Sequence, residues 1–322
     1  MSIQESATSL SVTKSSNLKK GILLAFGTAL ISGVSAFVNK LAVVKIQPLV
    51  LTSVKNSLVF GLVIGAFLIF SKPGKLRAIS RKNWVRLALI GLVGGALPFY
   101  LFFTALTMMP AINAALIHKS LVVWAGIMAF FFLKEKLSAL HIVGVGLLLV
   151  SNLFIGGFKG LTLGIPELMV LGATLLWSLE NIMSKVTLRE VDPLIVTGAR
   201  MGIGSAILMV ASLASGNLPV VTSLSLEQWG LIGVTALFLF GYVLTWYSAL
   251  KYAPVVTVGS VLVSATVVTN ILSAVFVTHA LSVQQLGQAG VILLGVALVA
   301  GATFRAAKAE RVKQLSSPQV KI

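Results

Sequence analysis

A histidine and a lysine stand side by side inside an apolar run. His118-Lys119-Ser120 lies near the middle of Ala111 to Leu133, which carries nothing else ionisable. A run of that length can cross a bilayer. A charge in its interior costs on the order of 2.5–3.5 kcal/mol on insertion scales, and such residues face a water-filled cavity or a partner. A helix rises about 1.5 Å per residue, so Lys119 lies roughly 12–13 Å from the outer end, deep for a lysine that snorkels to the interface. Asn113 adds an amide close to His118 on the same helix. Those three groups suit the anionic part of a small-molecule substrate, or a proton in transit.

Four more embedded residues bear on chemistry. Glu180, in Trp177-Ser178-Leu179-Glu180-Asn181, is the only acid deep inside an apolar run. It suits either a proton carrier or the counter-ion of Arg200 or Lys185. Helical spacing puts Trp177, Glu180 and Ser184 on one mixed aromatic-polar face. Lys55 and Arg200 each lie about eight residues into their runs, entering from opposite faces of the bilayer. They suit gating or a scaffold role at a neighbouring helix end, with direct substrate contact as the alternative. Lys40 and Lys185 end their runs and are expected to snorkel. His141 and His279 lie near span ends and are expected to be solvated. Tyr242, Trp246 and Tyr247 are expected to anchor or pack, or to stack on a ligand.

The elements that hold these residues follow from composition. The chain has 322 residues, 57% hydrophobic and 10% charged, with mean hydropathy +1.01. No water-soluble domain of this size is apolar throughout, and short alternating strands are absent, so the reading is an all-α polytopic membrane protein. Ten spans fit, at about 20–44, 47–70, 84–107, 111–133, 138–157, 163–187, 193–214, 227–251, 254–278 and 282–304. Prolines 48, 110, 193 and 254 mark tight turns, since the residue before a proline disfavours helix. With the N-terminus inside, 19 of the 25 Lys and Arg fall in inner segments, 3 in outer segments and 3 within spans. Lys72, Lys159 and Lys321 are part of that count. The asymmetry puts both termini in the cytoplasm. A net charge of +17 is thereby explained without nucleic acid. The chain has no cysteine, which excludes disulfides and thiolate chemistry. It has no Gly-x-x-x-x-Gly-Lys loop and no His-Glu-x-x-His, and no cofactor or enzyme activity is expected.

The second half repeats the first. Lys40/Lys185, Pro48/Pro193, Thr52/Thr197 and Lys55/Arg200 stand 145 apart; Pro110/Pro254, Ser120/Ser264 and Leu137-Ser138/Leu281-Ser282 stand 144 apart. His118-Lys119 has no echo, since its counterparts are Leu262-Val263. An odd number of spans per copy makes the second enter from the opposite side, the inverted-repeat architecture of many secondary transporters. The expected organisation is a polar N-terminus at 1–19, a first five-helix repeat at 20–157, a second at 158–304 and a basic tail at 305–322 that includes Ser317-Pro318.

With Lys40 to Lys55 (K-x7-P-x6-K), its echo Lys185 to Arg200, Ala105-Leu106…Pro110 with Ala249-Leu250…Pro254, and Leu133-Lys134-Glu135-Lys136-Leu137-Ser138 before a glycine-bearing span, the chain resembles the drug/metabolite transporter superfamily, EamA type. The resemblance covers about 20–304. It implies a metabolite carrier, often an exporter, with a central cavity lined by the first four spans of each copy and a peripheral fifth span. Relatives commonly carry a proline in the middle of the fourth and ninth spans, where this chain has Lys119-Ser120-Leu121-Val122 and Val263-Ser264-Ala265-Thr266. The usual arginine of the second span is Lys55, and the usual acid after the ninth span is His279, opposite Glu135.

The expected activity is secondary transport of small polar metabolites such as amino acids by alternating access in the cell membrane. Protons are a candidate coupling ion and a homodimer a candidate assembly. The competing readings are a sugar-phosphate or nucleotide-sugar antiporter, a proton-coupled drug exporter, and, outside transport, a channel or lipid scramblase.

Overall fold

The structure is a computed structural model that describes residues 3–70, 74–155 and 164–316. Lys72, Lys159, Lys321, Ser317, Pro318 and the expected 157/158 boundary lie outside the described residues.

Prolines and caps set the helix ends as the sequence leads one to expect. α1 runs Ile3–Lys45, α2 begins at Pro48 and runs to Phe70, and a short α3 covers Gly74–Arg77. The third expected span is α4 (Arg81–Ile90), a π-helical turn (Gly91–Ala96) and α5 (Leu97–Leu106). The fourth is α6 (Ala111–Lys119) followed by α7 (Leu121–Leu133), and the fifth is α8 (Ala139–Ile155). In the second half come α9 (Ile165–Thr187), α10 (Pro193–Ala214), a short α11 (Leu218–Thr222) and α12 (Leu226–Tyr252). Then follow α13 (Val255–Leu262), α14 (Ala265–Ser273), a π-helical turn (Ala274–Thr278) and α15 (Val283–Ser316). No strand occurs among the described residues.

Eight of the helical stretches are long and apolar enough to cross a membrane. The two expected spans outside that set are α8, whose described part is 17 residues long, and α9, which has the length but carries Glu167, Glu180 and Lys185. α1 reaches back to Ile3 through the polar N-terminal segment, because extending an existing helix costs little and no proline or glycine interrupts residues 3–20.

Both broken spans break at a serine. Ser120 Oγ donates to Ile117 O at 2.6 Å, and Ser264 Oγ donates to Val261 O at 2.7 Å. A serine that bonds its own preceding turn competes with the helical ladder. The break expected from a mid-span proline is therefore present in both copies without the proline.

The helices pack in antiparallel pairs, each taking one member from either half: α1 with α12, α2 with α10, α5 with α9, and α8 with α15. Exchanging the two halves maps this set of pairs onto itself. Close approach depends on small residues, as in membrane helix packing generally. A Cβ on Gly95 would lie 2.3 Å from Arg200 O, and one on Gly204 would lie 2.4 Å from Gly95 O. Large apolar side chains such as Phe131 and Phe132 point outward, as expected where the surroundings are lipid rather than water.

The ends of the bundle differ. At one end Lys75 Nζ donates to Asp192 Oδ2 at 3.0 Å, and Asn83 Nδ2 to Glu190 Oε2 at 2.7 Å. Lys185, Lys251 and the start of α13 lie at this same end. At the other, Lys45 pairs with Glu227, and Gln228 Nε2 donates to Lys45 O at 2.8 Å. Asp192 also caps α10, accepting from Leu194 N–H at 3.0 Å. Burial alone would raise its pKa, but the Leu194 bond and Lys75 outweigh that and hold the carboxyl below its ordinary range. Asp192→Ala is expected to cost roughly 1 kcal/mol of stability, and Asp192→Asn, which still caps, clearly less. Because the folded pKa is depressed, the stabilisation is present above the ordinary carboxyl pKa of about 3.9 and fades as pH falls through the lower folded value. An acid melt of the two variants in detergent measures both effects.

Candidate functional site

The π turn at Gly91–Ala96 organises the centre. Leu97 N–H bonds Leu92 O, five residues back. This wider turn is followed by Pro98, which has no N–H for the carbonyl four residues before it, so Gly94 O is left outside the α ladder; such turns often sit at functional sites. Gly94 O takes two side-chain donors in place of a backbone one: Trp177 Nε1 at 3.1 Å and Arg200 Nε at 3.3 Å. A Cβ on Gly94 would lie 2.3 Å from Glu180 Cγ, so only glycine lets α9 come this near.

Glu180 is 1% exposed. Its Oε1 accepts from Ser184 Oγ at 2.5 Å and from Tyr247 OH at 2.6 Å. The Arg200 guanidinium lies over the Tyr247 ring, 6.0 Å from its centroid, within the field of the Glu180 carboxylate. One residue along α9, Asn181 Oδ1 accepts from Trp246 Nε1 at 3.2 Å. Two donors on one oxygen and a cation close by are the surroundings of a fixed counter-ion.

Above this cluster stands an aromatic wall. Trp177 meets Phe99 edge-on at 5.1 Å and His118 at 4.7 Å, and His118 meets Phe102 at 5.6 Å. His118 Nδ1 and Asn113 Oδ1, both on α6, are buried and have no hydrogen-bond partner. Lys119 ends α6 at the Ser120 break, half-buried. Among the described residues it has no hydrogen bond or ion pair.

Of the expected residues, Trp177, Glu180 and Arg200 meet at the π turn, and His118 joins them through Trp177. Asn113 and Lys119 share the α6 half-helix with His118. Lys55 forms a separate cluster: its Nζ donates to Asn39 Oδ1 at 3.1 Å, and Asn39 Nδ2 donates to Ser35 Oγ at 3.0 Å. At offset 145, Ser35, Asn39 and Lys55 correspond to Glu180, Ser184 and Arg200. The same three positions thus carry polar side chains in both copies, but the contacts differ: Lys55 bonds Asn39, whereas Arg200 reaches Gly94 O, and only one copy has a carboxylate.

Two expectations are corrected. Lys185 does not snorkel; its Nζ donates to Leu250 O at 2.5 Å and to Ala253 O at 2.7 Å, the open carbonyls at the end of α12. His141 is buried rather than solvated, accepting at Nδ1 from Ser138 N–H at 3.2 Å and bonding Thr303 Oγ1 through Nε2 at 3.1 Å. Of the readings open for Tyr247, packing is the one the structure has: it is fully buried, with its hydroxyl on Glu180. Gly94 O was not among the expected groups, although Pro98, four residues on, has no N–H to give it, and that is a signal the sequence carries.

Lys185 works with Glu135 on a single turn. Glu135 Oε1 accepts from Val255 N–H at 2.9 Å and Oε2 from Val256 N–H at 3.5 Å, the open donors at the start of α13. Burial pushes the Glu135 carboxyl up in pKa, although the Val255 bond and the Lys185 charge pull the other way. Their repeat counterparts at the far end, Lys40 and His279, are exposed. The half-helices follow suit. α7 and α13 pack together near the clamped turn, whereas α6 packs on α5, α8 and α9 and α14 on α1 and α15.

Comparison with known proteins gives a family. The EamA-like transporter family matches twice, at residues 19–157 and 164–301. The chain is 24% identical over 217 residues to an "Uncharacterized transporter" of Methanothermobacter thermautotrophicus, covering 61% of each chain. It is 26% identical over 202 residues to "Uncharacterized transporter YyaM" of Bacillus subtilis, covering 60% of this chain and 66% of that one. The matches span less than two thirds of either relative's length. A solved structure described as "Crystal structure of protein" has a TM-score of 0.75 at 19% identity, covering 88% of this chain and 98% of that one. That likeness shows a shared fold.

Proposed function

We propose, given that the chain belongs to the EamA-like transporter family and is an integral multi-pass membrane protein, that it is a ten-span secondary transporter of small polar metabolites bearing an anionic group, such as amino acids. It works by alternating access between two inverted five-helix copies, 20–157 and 158–304. Exchange of the halves maps the set of α1–α12, α2–α10, α5–α9 and α8–α15 pairs onto itself, which supports the inverted repeat. Both termini and the clamped end face the cytoplasm, the protein sits in the cell membrane, and net movement is export.

One observation carries the substrate class. Lys119 is a cation at membrane depth with no hydrogen bond or ion pair among the described residues, on the same half-helix as two buried polar atoms, His118 Nδ1 and Asn113 Oδ1, that have no partner there either. An unpaired charge there is costly, and an anionic substrate beside α6 would offset that cost. Trp177 and the rings behind it form the wall against which the rest of the substrate lies. Glu180 balances Arg200 and keeps the π turn in place, which leaves Lys119, among the described residues, as the embedded cation free for substrate.

In proteoliposomes, amino-acid efflux is expected to fall at least tenfold in Lys119→Ala and to be largely retained in Lys119→Arg. Equal rates in Lys119→Ala and the parent would remove the basis of this reading. Loss in both variants with a normal melt would make shape, not charge, the determinant.

A further inference from the structure

We propose that the groove between α1 and α12 at the clamped end is a binding site for one anionic phospholipid, which lays its headgroup on Lys19 and Lys20 and an acyl chain along Leu23, Leu24 and Gly27. The inference is independent of what the central cavity carries.

The groove is a cavity of about 480 Å³ whose lining includes Lys19, Lys20, Leu23, Leu24, Gly27 and Thr245. Its two ends differ in chemistry. Lys19 and Lys20 are both exposed, and no carboxylate among the described residues pairs with either. Lys20 Nζ is 4.8 Å from the centroid of the Tyr252 ring, which fixes the ammonium at the groove mouth. Seven residues further along α1, about 10 Å at the helical rise, lies Gly27, where a Cβ would meet nothing within 4 Å. The α1–α12 register explains the space. Gly21 is tight against Ala253, and Gly241 lies under Ile31. Between those two contacts Gly27 faces the small Thr245, so the helices leave a slot.

A slot that is apolar within the span and ends on two ammonium groups, neither paired with a carboxylate among the described residues, fits a phosphodiester with its chain attached. Basic pockets between transmembrane helices on the cytoplasmic side bind anionic headgroups in general. A free phosphate would leave the floor of Leu23 and Leu24 unused. A zwitterionic lipid would bring its own cation to two others.

The test uses the full chain in a neutral detergent, with bound lipid counted by native mass spectrometry. The probes are phosphatidylglycerol, phosphatidylcholine and glycerol 3-phosphate. One tightly held phosphatidylglycerol is expected, with no comparable binding of the other two. The double variant Lys19→Gln/Lys20→Gln is expected to weaken it at least tenfold. Gly27→Leu, which fills the slot and leaves charge unchanged, is expected to do the same. Lys308→Gln/Lys313→Gln removes the same charge from exposed positions late in α15 and should leave binding intact. Three results would overturn the site: no effect of Gly27→Leu, an equal loss in the Lys308/Lys313 variant, or equal binding of phosphatidylcholine. Equal binding of glycerol 3-phosphate would overturn the role of the slot.

Discussion

Arg200→Met is expected to destabilise the protein by about 3–5 kcal/mol, because it strands Glu180 as a buried, unbalanced carboxylate. Glu180 is 1% exposed, so water cannot replace the lost guanidinium. The hydroxyls of Ser184 and Tyr247 still donate to Oε1, but they carry no charge. The same substitution also removes one of the two side-chain donors to Gly94 O. Trp177 keeps the other, so the π turn loosens without losing its last anchor. Glu180→Gln/Arg200→Met is expected to recover much of the loss, because Gln can accept both hydroxyls and no charge is left to balance. Unfolding in detergent micelles, followed by tryptophan fluorescence, reads this directly, as Trp177 and Trp246 sit in the cluster. A cost below about 1 kcal/mol for Arg200→Met would mean that the two charges do not hold each other.

Lys185→Met, and separately Glu135→Ala, should open the clamped end. Each removes charge-assisted hydrogen bonds that join α9 or the α7–α8 turn to the ends of α12 and α13. Such a bond is worth roughly 1.5–3 kcal/mol, which is roughly a ten- to hundredfold change in the ratio of closed to open protein. The chain has no cysteine, so one introduced thiol reports cleanly. Ser260, fully buried on α13, is the position to use as Ser260→Cys. Its reaction with a charged maleimide should be slow in the parent and at least tenfold faster in either variant. Lys40→Met, which removes the exposed counterpart of Lys185 at the far end, should leave this rate unchanged. If neither clamp variant speeds labelling, the turn at Ala253 is not a gate.

How much was legible differs from element to element. The turns at Pro48, Pro110, Pro193 and Pro254 were readable because a proline acts on its own neighbours. The mixed face of Trp177, Glu180 and Ser184 was readable because helical spacing is local. The breaks at Ser120 and Ser264 were not readable: the serines stood out only as an echo between copies, since serine bends a helix weakly and most serines do not bend it at all. Lys185 was misread because a lysine at the end of an apolar run looks the same whether it meets water or a helix end. His141 was misread for a similar reason: the groups that bury it include Thr303, 162 residues away.

The sequence by itself determined the all-helical class, the proline-marked turns, the duplication and which charges lie inside apolar runs, because each depends on composition or on residues within a turn of one another. Only the tertiary structure decided the partners: Glu180 with Tyr247, 67 residues apart, and Trp177 and Arg200 with Gly94 O, 83 and 106 residues apart. Those pairings depend on how closely helices approach at Gly94, Gly95 and Gly204. Pro98 marks in residue identity which carbonyl loses its helical donor, but the spacing between helices, which decides what donates to it instead, is not written there.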